Sequence, residues 1–137
     1  MKRFLFHAES YSSNALNLGL LFFRASIGLT MAFAHGMGKI PPSAQFTGFV
    51  TSMGMPGFMA WGAALAEFLG GILIAAGLLT RLNSAALAVT MMVAAFMAHG
   101  ADPFQKKEMA LLYLVCSIFI FIAGPGKFSL DGIINKK

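Results

Sequence analysis

Long apolar runs separated by short polar breaks dominate this 137-residue chain. Four runs, at 14–35, 57–79, 82–99 and 104–123, reach the ~20 mostly apolar residues that a helix needs to cross a bilayer, the third only narrowly. The breaks are strong ones. Pro41 and Pro42 end the first run, because proline cannot continue a helix. Gly54-Met55-Pro56-Gly57 opens the second, Thr80-Arg81 turns tightly into the third, and Gly100-Ala101-Asp102-Pro103 separates the third from the fourth. Gly124-Pro125-Gly126 stops the fourth. The pattern predicts an all-α fold with one membrane domain over 1–137, a four-helix bundle made of two antiparallel helical hairpins. Residues 45–53 predict a short helix at the membrane surface. The tail, 127–137, is too short to span. Phe128, Leu130, Ile133 and Ile134 are expected in the interface, with Lys136 and Lys137 toward headgroups. Ala32-Phe33-Ala34 after Lys2-Arg3 has the outline of a signal-peptide cleavage site. The run is too long for one and Arg24 interrupts it, so a retained anchor is expected.

Composition agrees with the pattern. The chain is 58% hydrophobic and 11% charged, with mean hydropathy +0.75, which leaves too little polar surface for a soluble domain. The net charge of +5 comes without a basic run interleaved with aromatics, so nucleic acid is not an expected partner and the lipid bilayer is. Four spans put both termini on one side. That side holds six basic residues, Lys2, Arg3, Arg81, Lys127, Lys136 and Lys137, against three on the other, Lys39, Lys106 and Lys107. The positive-inside rule then predicts cytoplasmic termini. The single cysteine, Cys116, sits inside an apolar run and reads as a small buried hydrophobe.

Against this apolar background the polar residues stand out. The triplet Ala-His-Gly closes both the first and the third run, at His35 and His99, within the similar stretches "LTMAFAHG" and "VAAFMAHG". Arg24 and Glu67 each fall about ten residues inside a span, where a lone charge costs at least about 2.5–3.5 kcal/mol. Their depth on consecutive antiparallel helices predicts an Arg24–Glu67 ion pair. One reading makes that pair a structural lock on helix register, and another makes it the floor of a polar pocket. His35 lies eleven residues beyond Arg24, about three turns along nearly the same face. His35, Lys39, His99 and Glu108 are therefore expected at the outer mouth of that pocket. The plainer reading is that histidine suits a membrane interface. Paired histidines can ligate haem, and ten methionines can suggest copper. Two interfacial histidines and gap-filling methionines are common enough that no metal or haem site is expected. No Ser-His-Asp set or phosphate loop is present.

Several stretches, "RASIGLTMAFAHGMGKI", "GMPGFMAWGAALAEFLGGILIAAGLLTRLNSAAL", "KKEMALLYL" and "GPGKFSLDG", together resemble the DoxX family of small bacterial and archaeal membrane proteins. The residues that carry the resemblance are Arg24, His35-Gly36 with Lys39, Glu67 with Gly70-Gly71, Gly77 with Thr80-Arg81, Glu108, and the closing motif that ends at Asp131. The resemblance implies four helices and a place in the bacterial cytoplasmic (inner) membrane. Some members of that family are subunits of quinone-linked oxidoreductases such as thiosulfate:quinone oxidoreductase, and others are tied to redox-stress complexes or quinone detoxification. It therefore implies a quinone-interacting subunit of a redox system, with quinone as the ligand and a redox partner protein as the electron source. Arg24, His35, Lys39 and His99 are the expected ligand-binding residues. Glu67 and Glu108 are the expected catalytic proton relays. Whether the chain is itself an enzyme stays open, and a non-catalytic membrane scaffold or a small transporter are the alternatives.

Overall fold

The structure is a computed structural model, and it describes residues 11–134. All regular structure among these residues is helical. Helix α1 (Asn14–Thr30) runs on without a break through a π-helical turn (Met31–Gly36) and a 3-10 turn (Met37–Lys39). A short helix, α2 (Ala44–Ser52), occupies the stretch where the sequence predicts one, and the Ser43 side chain caps it by accepting from Phe46 N at 3.1 Å. Helices α3 (Met59–Ala76) and α4 (Thr80–Val93) follow, and α4 also ends in a π-helical segment (Ala94–Ala98). Helix α5 (Phe104–Ala123) and the short α6 (Leu130–Ile134) complete the chain. Three helical runs are long and apolar enough to cross a membrane: Asn14–Lys39, Met59–Ala76 and Thr80–Ala98. The fourth, α5, keeps the range predicted from sequence, but its N-terminal part carries Lys106, Lys107 and Glu108.

Small residues set the register of α1 on α3. A methyl group placed on Gly28 would lie 2.4 Å from Gly71 O, and one on Gly36 would lie 2.4 Å from Phe68 N. On the facing side, a methyl on Gly71 would lie 2.6 Å from Gly28 O and 3.0 Å from Ala32 N. Gly28, Ala32 and Gly36 recur every four residues, so one narrow stripe of α1 lies almost backbone-to-backbone on α3. In lipid, where apolar burial does not drive helices together, such close packing is what holds them. The buried core beside this seam is formed by Met31, Ile74, Leu87, Met91, Tyr113 and Ile120. The outer surface is apolar too, with Phe22, Val115 and Ile122 among the most exposed side chains, as expected of a lipid-facing belt.

A polar knot closes one end of the bundle. Helix α3 stops at Gly77, which takes the left-handed backbone (φ 73°), and Leu78 N returns to Leu73 O at 2.9 Å. The next helix takes its N-cap from far along the chain. The buried Asp131 carboxylate accepts from Leu79 N (2.9 Å), Thr80 N (3.0 Å) and Thr80 Oγ1 (2.9 Å). The described part of the tail is thus tied into the bundle through Ser129 and Asp131, while Phe128, Leu130, Ile133 and Ile134 face outward. Lys2, Arg3, Lys136 and Lys137 lie outside the described residues.

The seam yields a paired prediction. Gly36→Val forces side-chain atoms into the α3 backbone and is expected to destabilise the fold by at least about 1–3 kcal/mol. Gly38→Val, where nothing lies within 4 Å of the added carbon, is expected to leave thermal unfolding in detergent close to wild type.

Candidate functional site

The glycine seam decides which charges meet. Because Gly36 lies on Glu67 and Phe68, Glu67 is level with the C-terminal end of the first helical run, and Arg24, twelve residues back, is about 18 Å from that level. The expected Arg24–Glu67 pair therefore does not form. Arg24, 1% exposed, is spent on carbonyl groups instead. Its Nε donates to Pro125 O (3.1 Å), Nη1 to Ile74 O (3.0 Å) and Ala75 O, and Nη2 to Phe128 O. Three of its nitrogens thus satisfy the carbonyl end of α3 and the Gly-Pro-Gly turn, where the helix dipole favours a cation. Asp131 lies within electrostatic reach. Arg24 is a structural clasp at the far end of the molecule from the histidines, not the floor of a pocket beneath them.

Glu67 has a different partner. Lys39 Nζ donates to both of its carboxylate oxygens, at 2.7 and 2.5 Å. The Glu67 side chain is 4% exposed and that of Lys39 34%, so the lysine reaches inward from the helix end to a buried acid. Lys39 Nζ also stands 5.4 Å from the centroid of the Phe46 ring on α2.

Two cavities meet at this pair. The larger, about 560 Å³, lies under α2 between α3 and α4. Phe46, Phe49, Met53, Phe58, Ala63 and Val93 are among its mostly apolar walls, and its polar groups are Lys39, Glu67, Thr90 and His99. The smaller, about 190 Å³, lies inside the bundle and is lined by His35 and Tyr113 together with Lys39, Glu67 and His99. Lys39, Glu67, Ala94 and His99 line both, so they form the wall between the two spaces.

Both π-helical segments end at this wall. His35 lies in the first, and its ring meets Tyr113 edge-on at 5.5 Å. His99 follows the second, its N–H donating to Ala94 O five residues back. Such segments are enriched at functional sites. His99 Nδ1 is 2.9 Å from Asp102 Oδ2, which fixes the ring. The hydrogen bond to His99, followed by the charge of Lys106, holds the Asp102 carboxyl below its ordinary 3.8, so the contact persists until the pH falls below that value.

The DoxX family model matches residues 19–100, which include both Ala-His-Gly triplets, Lys39 and Glu67. The chain belongs to the DoxX family. It is 30% identical over 125 residues to a Bacillus subtilis (strain 168) protein named "Putative oxidoreductase CatD", covering 90% of this chain and 92% of that one. It is 34% identical over 108 residues to an Escherichia coli (strain K12) protein named "Inner membrane protein YqjF", covering 74% of this chain and 82% of that one. No solved structure matches the chain significantly.

In this DoxX protein four of the six residues singled out from the sequence come together: His35, Lys39, Glu67 and His99. Arg24 belongs to the other end. Glu108 is exposed near the start of α5 and lines neither cavity. Sequence reasoning missed Tyr113, Lys106 and the aromatic face of α2. Tyr113 had a signal, a phenol within an apolar run, whereas the α2 residues look like ordinary interfacial hydrophobes until the fold lays them over α3 and α4.

The pair defines a thermodynamic cycle. Lys39→Met leaves Glu67 buried and unpaired and is expected to cost about 3 kcal/mol unless the acid takes a proton. Glu67→Gln added to Lys39→Met is expected to recover most of that loss in thermal unfolding, while Glu67→Gln added to Arg24→Ala recovers none.

Proposed function

We propose that this protein is a quinone-interacting subunit of a membrane redox system, placed in a bacterial inner membrane with both termini cytoplasmic. The observation that carries the reading is the larger cavity, an apolar chamber whose polar groups gather at Lys39, Glu67 and His99. Its volume lies within the ~300–1,000 Å³ usual for small-molecule sites. A quinone head group is a flat apolar ring with a carbonyl oxygen at each side. The Phe46, Phe49 and Phe58 rings suit the ring faces, and the Lys39 ammonium and His99 imidazole suit an oxygen. When bound, a quinone supplies reversible two-electron, two-proton chemistry, with the electrons exchanged through a redox partner protein. Within the chain, Lys39 orients the head group by hydrogen bonding, Glu67 holds or releases a proton at the shared wall, and Asp102 keeps His99 in one orientation. The name of the Bacillus subtilis relative is in keeping with redox work, and that of the Escherichia coli relative with the inner membrane.

Titration of the purified protein in detergent micelles with a short-chain quinone tests this. His99→Phe is expected to weaken binding by about 1–2 kcal/mol, one lost hydrogen bond, or roughly 5- to 30-fold. His35→Phe, which lines only the smaller cavity, is expected to bind as wild type. Equal affinity of His99→Phe and wild type, or no binding at all, would leave the chain as a packing subunit. For topology, a reporter fused after Lys137 is expected to behave as cytoplasmic, following the excess of basic residues on the side of the termini. A periplasmic reporter would reverse the orientation.

A further inference from the structure

The quinone reading places the head group in the larger cavity, yet the smaller cavity is the more polar of the two. Six of its eleven lining residues are polar or charged: His35, Lys39, Glu67, His99, Lys106 and Tyr113. At about 30 Å³ per water its volume has room for several. Among the described residues, no protein group hydrogen-bonds the His35 imidazole or the Tyr113 hydroxyl, and their rings touch only edge-on. Polar groups that open onto a cavity and that the protein leaves unmatched are matched by water. The cavity also reaches the aqueous end of the bundle, since Lys106 lines it and has a side chain that is 65% exposed. Glu67 stands in its wall and faces the larger cavity as well.

We propose that the smaller cavity is a water-filled route that carries protons from the aqueous phase at the histidine end of the bundle to Glu67. A hydronium ion gives its proton to one Glu67 carboxylate oxygen, and that O–H no longer accepts from the Lys39 ammonium. Glu67 then passes the proton to an acceptor oxygen in the larger cavity, the carboxylate is restored, and Lys39 closes on it again. One proton moves per cycle, no electron moves with it, and Lys39 keeps its charge throughout. His35 and Tyr113 order the water along the way. The use made of the proton rests on the quinone reading, whereas the water route stands without it.

Cys116 is the only cysteine in the chain, so Cys116→Ser gives a thiol-free background. Single cysteines are then placed at Ala110 in the smaller cavity, at Ala94 in the shared wall beside Glu67, at Val115 on the lipid-facing side of α5, and at Gln105 on its exposed first turn. Each variant, purified and monodisperse in detergent, is treated with a small charged methanethiosulfonate, which reacts only with thiolates that water reaches. Ala110→Cys and Ala94→Cys are expected to react at least about tenfold faster than Val115→Cys, approaching Gln105→Cys. If both react as slowly as Val115→Cys, the cavity is dry and the proposal falls. If Ala110→Cys reacts and Ala94→Cys does not, water stops short of Glu67 and the proposal falls as well. Labelling without quinone binding would overturn the quinone reading alone, and quinone binding without labelling would overturn the water route alone.

Discussion

The contact on which the rest depends is the near backbone-to-backbone seam between α1 and α3. Gly28, Ala32 and Gly36 leave no room for larger side chains against Gly71 and the Glu67–Phe68 backbone. A seam this close fixes helix register to within a residue, because any slide brings a side chain into a backbone. Every polar contact across the two helices follows from that register. It lifts Glu67 to the level of Lys39 and leaves Arg24 facing the last carbonyls of α3.

The two buried charges at the closed end, Arg24 and Asp131, solve opposite problems. Arg24 lies where a helix ends inside the protein, with carbonyl groups that have no intrahelical donor, and a planar guanidinium can serve several of them at once. Asp131 does the converse for the start of α4, giving acceptor oxygens to N–H groups that have none. Together they fasten the closing motif to the α3–α4 turn. Lys39 and Glu67 instead pair directly, in the wall between the two cavities. Such a pair is weak evidence for stability, since desolvation offsets much of its attraction, but it places two charges where both cavities meet.

The recurrence of a π-helical segment at each histidine bears on the same region. In both α1 and α4 the helix widens over its last turns, and in both the widened part borders the smaller cavity. The wider turn swings the following residues away from the regular α-helical face, so His35 and His99 reach the bundle interior from helices whose other faces meet lipid. The cavities border these irregular turns, and the glycine seam runs from α1 into the first of them, since Ala32 and Gly36 lie within Met31–Gly36.

The all-helical fold and the apolar character of its outer faces were legible in the sequence, because apolar run length and proline or glycine breaks act locally; three of the four expected spans are helices long and apolar enough to cross a membrane. The grouping of His35, Lys39 and His99 was legible too, since all three close helical runs at one end of the bundle. Depth alone could not pair the charges. Arg24 and Glu67 sit at similar distances from the ends of their spans, and only the glycine seam, a contact between two distant surfaces, shows that they are not level. The two cavities were hidden for the same reason. The wall of the larger one is made when α2 folds back over α3 and α4, and the polarity of the smaller one depends on Tyr113 and Lys106 arriving from α5. Sequence determined which helices form and which residues are costly to bury; tertiary packing, acting through helix register, decided which of those residues share a space.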